Sequence, residues 1–324
     1  MQLNKIMIAQ SEYYGMDTVI NNKVFGEQAK EALKAAEEET VRLEGMLSRF
    51  IPESEISRIN SSAGIRYEKV SSETYEVLSR AVEFSKCCQG CFDVTVGPLV
   101  NLWRNSRDVL KPPDEFKIRQ ILPLVDYTNL VLDPCERAVS LKKAGQSIDL
   151  GGIGKGSAAD KILEVFKKYE VSSAFTNFGG NVAAIGAKPD GSPWRIGIQH
   201  PRQENSLIGV VYVVNKSVVT SGDYQRYFTD SNGKRYHHIL NPNTGYPSES
   251  GLISVTIVAD SSVAADALST VMFIAGMNKG IELLKSFQGT EAIFINMNLT
   301  VYVTRGLKDY FQTTEGIRIN ILDN

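Results

Sequence analysis

The chain has 324 residues, with 35 Lys and Arg against 37 Asp and Glu, a formal net charge of −2. So even a balance gives no field to steer the chain onto a nucleic-acid backbone and no polybasic surface for anionic lipid. Hydrophobic residues at 43% and charged residues at 22% describe an ordinary globular protein, and 26 Gly with 11 Pro exclude collagen-like and low-complexity chains.

Residues 1–10 hold only a few apolar side chains before Ser11 and Glu12, less than the apolar core of a secretory signal. No stretch reaches the ~18 uninterrupted apolar residues of a membrane span. The expectation is a cytoplasmic protein. The first strong periodicity runs over residues 27–47. Ala29, Leu33, Ala36, Thr40, Leu43 and Leu47 recur at steps of four and three, with Glu and Lys on the other face, which predicts an amphipathic helix. Ser71 and Ser72 can cap a second helix, with Tyr75, Leu78, Val82 and Phe84 as its apolar set. Cys87, Cys88 and Cys91 follow, and Cys88-Gln89-Gly90-Cys91 has the spacing of a redox pair or half a zinc site. With no second such pair and no nearby His, unpaired thiols of a reducing compartment are the plainer reading.

Lys111-Pro112-Pro113-Asp114 marks a turn before a short helix at 115–121. Residues 131–141 read as a hairpin. Ile148-Asp149-Leu150 then leads into Gly151-Gly152-Ile153-Gly154-Lys155-Gly156 and a helix bearing Ala159, Ile162, Leu163 and Phe166. Strands are predicted at 174–177, 194–199, 209–214, 217–220, 254–258, 292–296 and 300–304. A helix from 264 to 275 is capped by Asp260, Ser261 or Ser262. Helices and hairpin-joined strands are interspersed, which favours an α+β fold with largely antiparallel sheets over a doubly wound parallel one. No repeat or long linker divides the chain, so one domain spanning residues 1–324 is expected.

Several stretches carry residues suited to chemistry. The glycine run 151–156 lets a ligand approach the backbone, and amides at a helix start favour phosphate. It is neither GxxxxGK[ST] nor GxGxxG, and an ordinary tight turn is the competing reading. Asp266 and Thr270 are four apart, so on a helix they share a face, and a carboxylate beside a hydroxyl offers hard oxygens for Mg²⁺. They sit in an apolar stretch ending Val271-Met272-Phe273-Ile274, where a buried Asp needs a partner. Of three histidines, His237 and His238 lie on a strand running into a turn. Alternation puts one of that pair toward any site, where an imidazole can act as a base or simply be structural. His200, before Pro201, reads as a loop residue. Residues 92–98, 177–181 and 220–224 each join an expected strand end to Gly and small polar groups.

In order along the chain, residues 47–60, 92–99, 149–156, 177–181, 220–224, 238–245 and 265–270 resemble the ApbE family of FAD-dependent protein flavin transferases. The resemblance extends from about Tyr14 to Arg305. It implies a compact α+β fold with FAD in a cleft, Mg²⁺, and transfer of the FMN half of FAD to a Ser or Thr hydroxyl of a target flavoprotein with release of AMP. Some members instead mainly hydrolyse FAD to FMN and AMP. A flavin-binding protein without catalysis is a third reading. Carried onto this sequence, the metal would be held by Asp266, Thr270 and the Gly152 carbonyl. Lys155 would approach the FAD, and Met16, Phe50, Cys91, Phe92, Asp93, Asp149 and Ile239 would line its site. His238 would be the base. The chain departs from common family residues at Asp17 (often Gly), Phe50 (Tyr in some members) and Cys91 (often Ala). Family acceptors carry a motif resembling Asp-x-x-Ser/Thr-Gly-Ala-Ser/Thr. This sequence has no Ser/Thr-Gly-Ala, so the implied target is another protein.

Overall fold

The computed structural model describes residues 7–323. Residues 1–6, part of the stretch read above for a leader, lie outside that range. A hairpin opens the fold, β1 (Ile8–Gly15) with β2 (Thr18–Phe25), followed by α1 (Ala29–Leu47) and α2 (Glu55–Ser61). Next come β3 (Glu68–Lys69), α3 (Ser72–Cys87), α4 (Gly97–Asp108) and α5 (Glu115–Ile121). The hairpin β4 (Leu130–Asp133) and β5 (Ala138–Leu141) precedes α6 (Gly154–Lys168). A run of strands follows: β6 (Ser173–Phe178), β7 (Asn181–Ile185), β8 (Trp194–Gln199), β9 (Leu207–Val213) and β10 (Ser217–Gly222). Then come β11 (Tyr227–Thr229), β12 (Arg235–His237), β13 (Leu252–Ala259) and α7 (Ser262–Leu284). The end of the chain adds β14 (Glu291–Asn296), β15 (Val301–Thr304), β16 (Phe311–Thr313) and β17 (Ile319–Leu322).

Nine strands form the main sheet in the order β1-β2-β6-β7-β10-β13-β14-β15-β17. Every neighbouring pair is antiparallel except β15 with β17. The fold is therefore α+β, as expected from the sequence.

Period-2 alternation explains why the sheet is covered twice. On β13 and β14, Val255, Ile257, Ala292 and Phe294 face the helices α1, α6 and α7. Ile253, Val258, Ile293 and Ile295 face the other way, onto the three-stranded sheet β16-β9-β8 and its Trp194, Ile198 and Val211; Ile253 does so against the alternation because the register shifts between Leu252 and Ser254. With both faces buried, β13 carries no exposed position, and its sequence Leu-Ile-Ser-Val-Thr-Ile-Val-Ala is correspondingly apolar.

The expected helices form at α1, α3, α5, α6 and α7. Ser71 caps α3, accepting from the Thr74 amide, and Ser261 caps α7. The predicted end of the last helix at residue 275 meets a kink, where Gly276 takes φ 77° before the helix resumes. Length and composition would let α7 cross a membrane; instead it packs between the sheet and α6, with Leu268, Val271, Met272 and Phe273 fully buried.

Two expectations change. Residues 92–98 follow no strand: they join α3 to α4, whose first turn is Gly97-Pro98, because proline at the start of a helix loses no intrahelical hydrogen bond. The turn-like Gly-Pro signal thus opens a helix. The β1–β2 hairpin also escapes the sequence reading. β1 is a sheet edge with alternate residues exposed, so its polar Gln10, Ser11 and Glu12 give no apolar stripe.

Candidate functional site

The site is centred where the first turns of α6 and α7 touch. The glycine run is a loop only as far as Ile153, and Gly156 lies inside the first turn of α6. A Cβ on Gly156 would overlap the Ser262 carbonyl and lie 2.7 Å from Asp266 Cβ, so only glycine permits this approach. First-turn amides have no intrahelical partner. The Gly156 amide uses its freedom to donate to Asp266 Oδ2 at 2.8 Å.

Asp266 is 4% exposed. Burial raises its carboxyl above the usual 3.8, opposed by the Lys155 ammonium and the Gly156 amide. Among the described residues, that amide supplies the one hydrogen bond to the carboxylate. Thr270 follows one turn later, with its Oγ1 3.4 Å from Ser221 Oγ. Ser221 Oγ lies 2.8 Å from Ser269 Oγ, which itself donates to the Asp266 carbonyl at 2.8 Å. Gly152 backs onto the same point: a Cβ there would stand 3.4 Å from Thr270 Oγ1 and 3.0 Å from the Phe92 ring.

The structure thus brings Asp266, Thr270 and Gly152 together. Among the described residues no group of three or more His, Cys, Asp or Glu side chains gathers anywhere. The donors at this point are oxygens, and a buried carboxylate with a single amide partner is short of positive charge. That donor set fits a hard cation such as Mg²⁺.

Lys155 stands beside the cluster, donating to the Gly151 carbonyl at 3.2 Å. Asp149 lies at the mouth of the glycine run. Its Oδ1 accepts the Gly151 amide at 2.8 Å and its Oδ2 accepts Arg49 Nη1 at 2.5 Å. Next to Arg49, the Phe50 ring is 62% exposed, with the guanidinium carbons of Arg49 and Arg104 at 5.4 and 5.3 Å from its centroid. Phe92 and Cys91 are buried, and Phe92 meets Phe84 edge-on at 6.5 Å.

Asp93 is buried and fully engaged in its own loop. Its oxygens accept the Thr95 amide and hydroxyl, both at 2.7 Å, and the Tyr127 amide at 2.8 Å. Those bonds fasten the α3–α4 connection to residues 126–127, so its visible work is in the loop's architecture. The four cysteines are free, and burial pushes the Cys88 thiol up to about 12, which leaves it inert as a nucleophile.

His238 follows β12, and its Nδ1 lies 3.2 Å from the Arg226 carbonyl. A carbonyl only accepts, so Nδ1 carries the hydrogen and Nε2 keeps a free lone pair. Crowding by protein, together with the neighbouring charges of His237, Arg226 and Lys155, lowers its pKa below the usual 6.5 although solvent still reaches the ring. The imidazole is neutral at pH 7. His237 is the inward member of the pair. Its Nε2 contacts the Ser248 carbonyl at 2.9 Å, its Nδ1 accepts the Ile239 amide at 3.2 Å, and its ring meets Phe273 edge-on. Ile239 behind it is buried.

Met16 occupies the tip of the β1–β2 hairpin. Met16 and Asp17 have φ of 51° and 60°, the left-handed region that glycine enters freely. Asp17 holds this conformation with the Arg226 guanidinium at 2.9 Å and the Tyr14 hydroxyl at 3.0 Å. Arg226 therefore links the Met16 turn to the segment holding His238. This link, the Arg49–Asp149 pair and the Ser221 hydroxyl were not singled out as individual site residues in the sequence, although Ser221 lies in a polar cluster noted there.

The ApbE family profile matches residues 16–294. The chain belongs to the ApbE family. It is similar to the FAD:protein FMN transferase of Klebsiella pneumoniae (strain 342), 35% identical over 264 residues that cover 81% of each chain. The FAD:protein FMN transferase of Treponema pallidum (strain Nichols) is 33% identical over 326 residues, covering 94% of this chain and 87% of that one. Its fold matches the crystal structure of the ApbE protein from Thermotoga maritima with a TM-score of 0.87 and 31% identity, over 94% of this chain and 99% of the other. The ApbE resemblance read from seven short stretches is therefore the family of the whole chain.

Proposed function

We propose that this chain is an FAD:protein FMN transferase. It moves the FMN half of FAD onto a Ser or Thr hydroxyl of a target flavoprotein and releases AMP, with Mg²⁺ bound at Asp266, Thr270 and the Gly152 backbone. The observation that carries the reading is the enclosed Asp266 carboxylate, which has one amide partner and stands one turn before Thr270 against the glycine run. Membership of the ApbE family and the activity named for its relatives support it.

In the reaction, the acceptor oxygen bonds to the FMN-side phosphorus. The bond from that phosphorus to the bridging oxygen breaks, and AMP leaves with the bridging oxygen. Bound Mg²⁺ would supply the positive charge that a diphosphate needs in a protein of net charge −2. The chain's own residues do the rest. His238 Nε2, held unprotonated by the Arg226 carbonyl at Nδ1, takes the proton of the attacking hydroxyl. Lys155 neutralises phosphate charge at the start of α6, where the positive end of the helix dipole also favours an anion. Phe50, with its exposed face, and the buried wall of Cys91, Phe92 and Ile239 flank the cofactor, and Met16 closes the opposite side from the hairpin tip.

Incubation with FAD, Mg²⁺ and a candidate flavoprotein, followed by intact-mass analysis of that flavoprotein, tests the reading. A gain of one FMN, lost when the acceptor Thr or Ser is replaced, supports it. AMP release with no modified protein under any acceptor would identify water as the acceptor instead, and FAD left intact would leave a binding protein.

A further inference from the structure

We infer that Asp160 is a positioning residue that sets the metal-binding face of α7. The inference rests on the Mg²⁺ reading above. Asp160 lies one turn after Gly156 on α6, and Ser262 lies one turn before Asp266 on α7. The two helices are joined by a reciprocal pair of links along these turns. Gly156 of α6 gives its amide to Asp266 of α7 at 2.8 Å, and Ser262 of α7 gives its amide to Asp160 Oδ1 of α6 at 2.8 Å. Asp160 Oδ2 also accepts the Val263 amide at 3.0 Å and the Ser261 hydroxyl at 2.9 Å.

The two carboxylates are provided for very differently. Burial raises both. Asp160 is answered by three donors and by the positive end of the α7 dipole, which favours an anion within the first turn. These donors occupy both of its oxygens. Asp266 has one donor. The charge of Asp160 is therefore consumed in fixing the start of α7, while that of Asp266 is kept for a ligand.

A fixed start matters because α7 is a stiff lever. Asp266 and Thr270 stand one and two turns beyond Ser262. A rotation of the first turn carries both oxygens away from Gly152. The Ser262 hydroxyl adds a second anchor, donating to Asn181 Oδ1 of β7 at 2.7 Å. Gly156 holds the helices in contact, and Asp160 with Asn181 fixes how α7 is turned within that contact. Partners that orient metal ligands in this way change affinity by about ten-fold or more when removed.

The test is the Mg²⁺ dependence of Tm for the full chain, with Mg²⁺ alone as the probe, alongside the Mg²⁺ dependence of FMN transfer. Asp160→Asn is expected to raise the half-saturating Mg²⁺ about ten-fold in both measurements, taken for Tm as the Kd in a stabilisation of RT ln(1 + [Mg²⁺]/Kd), with turnover recovering at saturating Mg²⁺. Asp114→Ala is the control. Asp114 caps α5 through the Phe116 amide at 2.8 Å, so its loss lowers Tm without moving half-saturation. An Asp160→Asn protein with lowered Tm but the wild-type half-saturation overturns the inference and leaves the metal reading intact. If Asp160→Asn does not fold, Ser261→Ala removes one donor and should still raise half-saturation; no change there overturns it equally. A wild-type Tm that ignores Mg²⁺ removes the metal reading and this inference with it.

Discussion

The Gly156 amide and the Asp266 carboxylate, 2.8 Å apart, are joined across two helices whose close approach at this point requires a glycine. The contact serves packing and charge together: the missing side chain lets α6 reach α7, and the amide so delivered is, among the described residues, the one hydrogen-bond donor to a buried anion. Packing and polar demand are therefore coupled at one residue.

Replacing Gly156 separates them. In Gly156→Ala the new methyl meets the Ser262 carbonyl and Asp266 Cβ, so the helices must part. Overpacking of this kind costs about 1–3 kcal/mol. Parting the helices also removes the amide from Asp266. We expect lowered Tm together with loss of transfer that extra Mg²⁺ does not restore. Thermal unfolding and FMN-transfer assays on the same preparation check this, and an alanine variant of wild-type activity would contradict the close approach.

Asp266 should show the opposite relation between stability and activity. Its folded pKa is raised, so folding disfavours the ionised form, and that cost is complete once pH exceeds the folded value. Asp266→Asn keeps an oxygen for the Gly156 amide and removes the charge. With EDTA present, the Asn protein should be more stable than wild type by about 1 kcal/mol, as is common when a functional charge is neutralised. Transfer should fall about 100-fold or more, further than in His238→Ala, because electrostatic stabilisation is usually the larger contribution. Equal stability of the two proteins in EDTA would mean that the carboxylate already has its counter-charge within the chain.

Phe50 tests the cofactor wall without touching the core. Its ring is 62% exposed and lies beside the guanidinium groups of Arg49 and Arg104. Phe50→Ala should leave Tm unchanged. If the ring stacks on the cofactor, FAD binding should weaken about ten-fold, the scale of losing one aromatic stacking partner, and Phe50→Tyr should restore it. FAD fluorescence titration reads both. Unchanged affinity in Phe50→Ala would move the flavin elsewhere.

Long, strongly periodic elements were legible before the structure. The stripe Ala29, Leu33, Ala36, Leu43 of α1 could bury only one face, and the apolar run after Asp266 could only be core. The pairing of Asp266 with Thr270 was legible for the same reason, since a helix fixes which residues share a face. What converges from afar was not. Nothing local in Gly156 announces that its amide meets a carboxylate 110 residues later, or that Asp160 caps a helix eight strands further along the chain. Edge strand β1 was hidden by its solvated polar face, and α4 by a proline that reads equally as turn and helix start. Asp93 stood out as a polar residue beside glycine and proline, but its oxygens answer the loop's own amides, a use that sequence spacing does not separate from ligand binding.

His238 gives the reaction a pH signature whose sign follows from the geometry. The base must be neutral to accept a proton. The crowded surroundings and nearby cations disfavour the imidazolium, so the pKa falls below 6.5 and the neutral form persists to lower pH than for a free imidazole. Transfer measured as kcat/KM should therefore stay level from pH 8 to below 6.5, then fall as pH drops through the His238 value. In His238→Ala that acid limb should disappear while a residual rate remains, lower by about 100-fold or more, the usual contribution of a positioned base. Lys155→Met should shift the limb to higher pH in the otherwise intact protein, because removing a cation that opposes imidazolium raises the pKa. The His238 value is pushed down to about 4, so initial rates of the three proteins between about pH 3 and 8 decide the matter. A limb that survives unchanged in His238→Ala would assign the proton to another group.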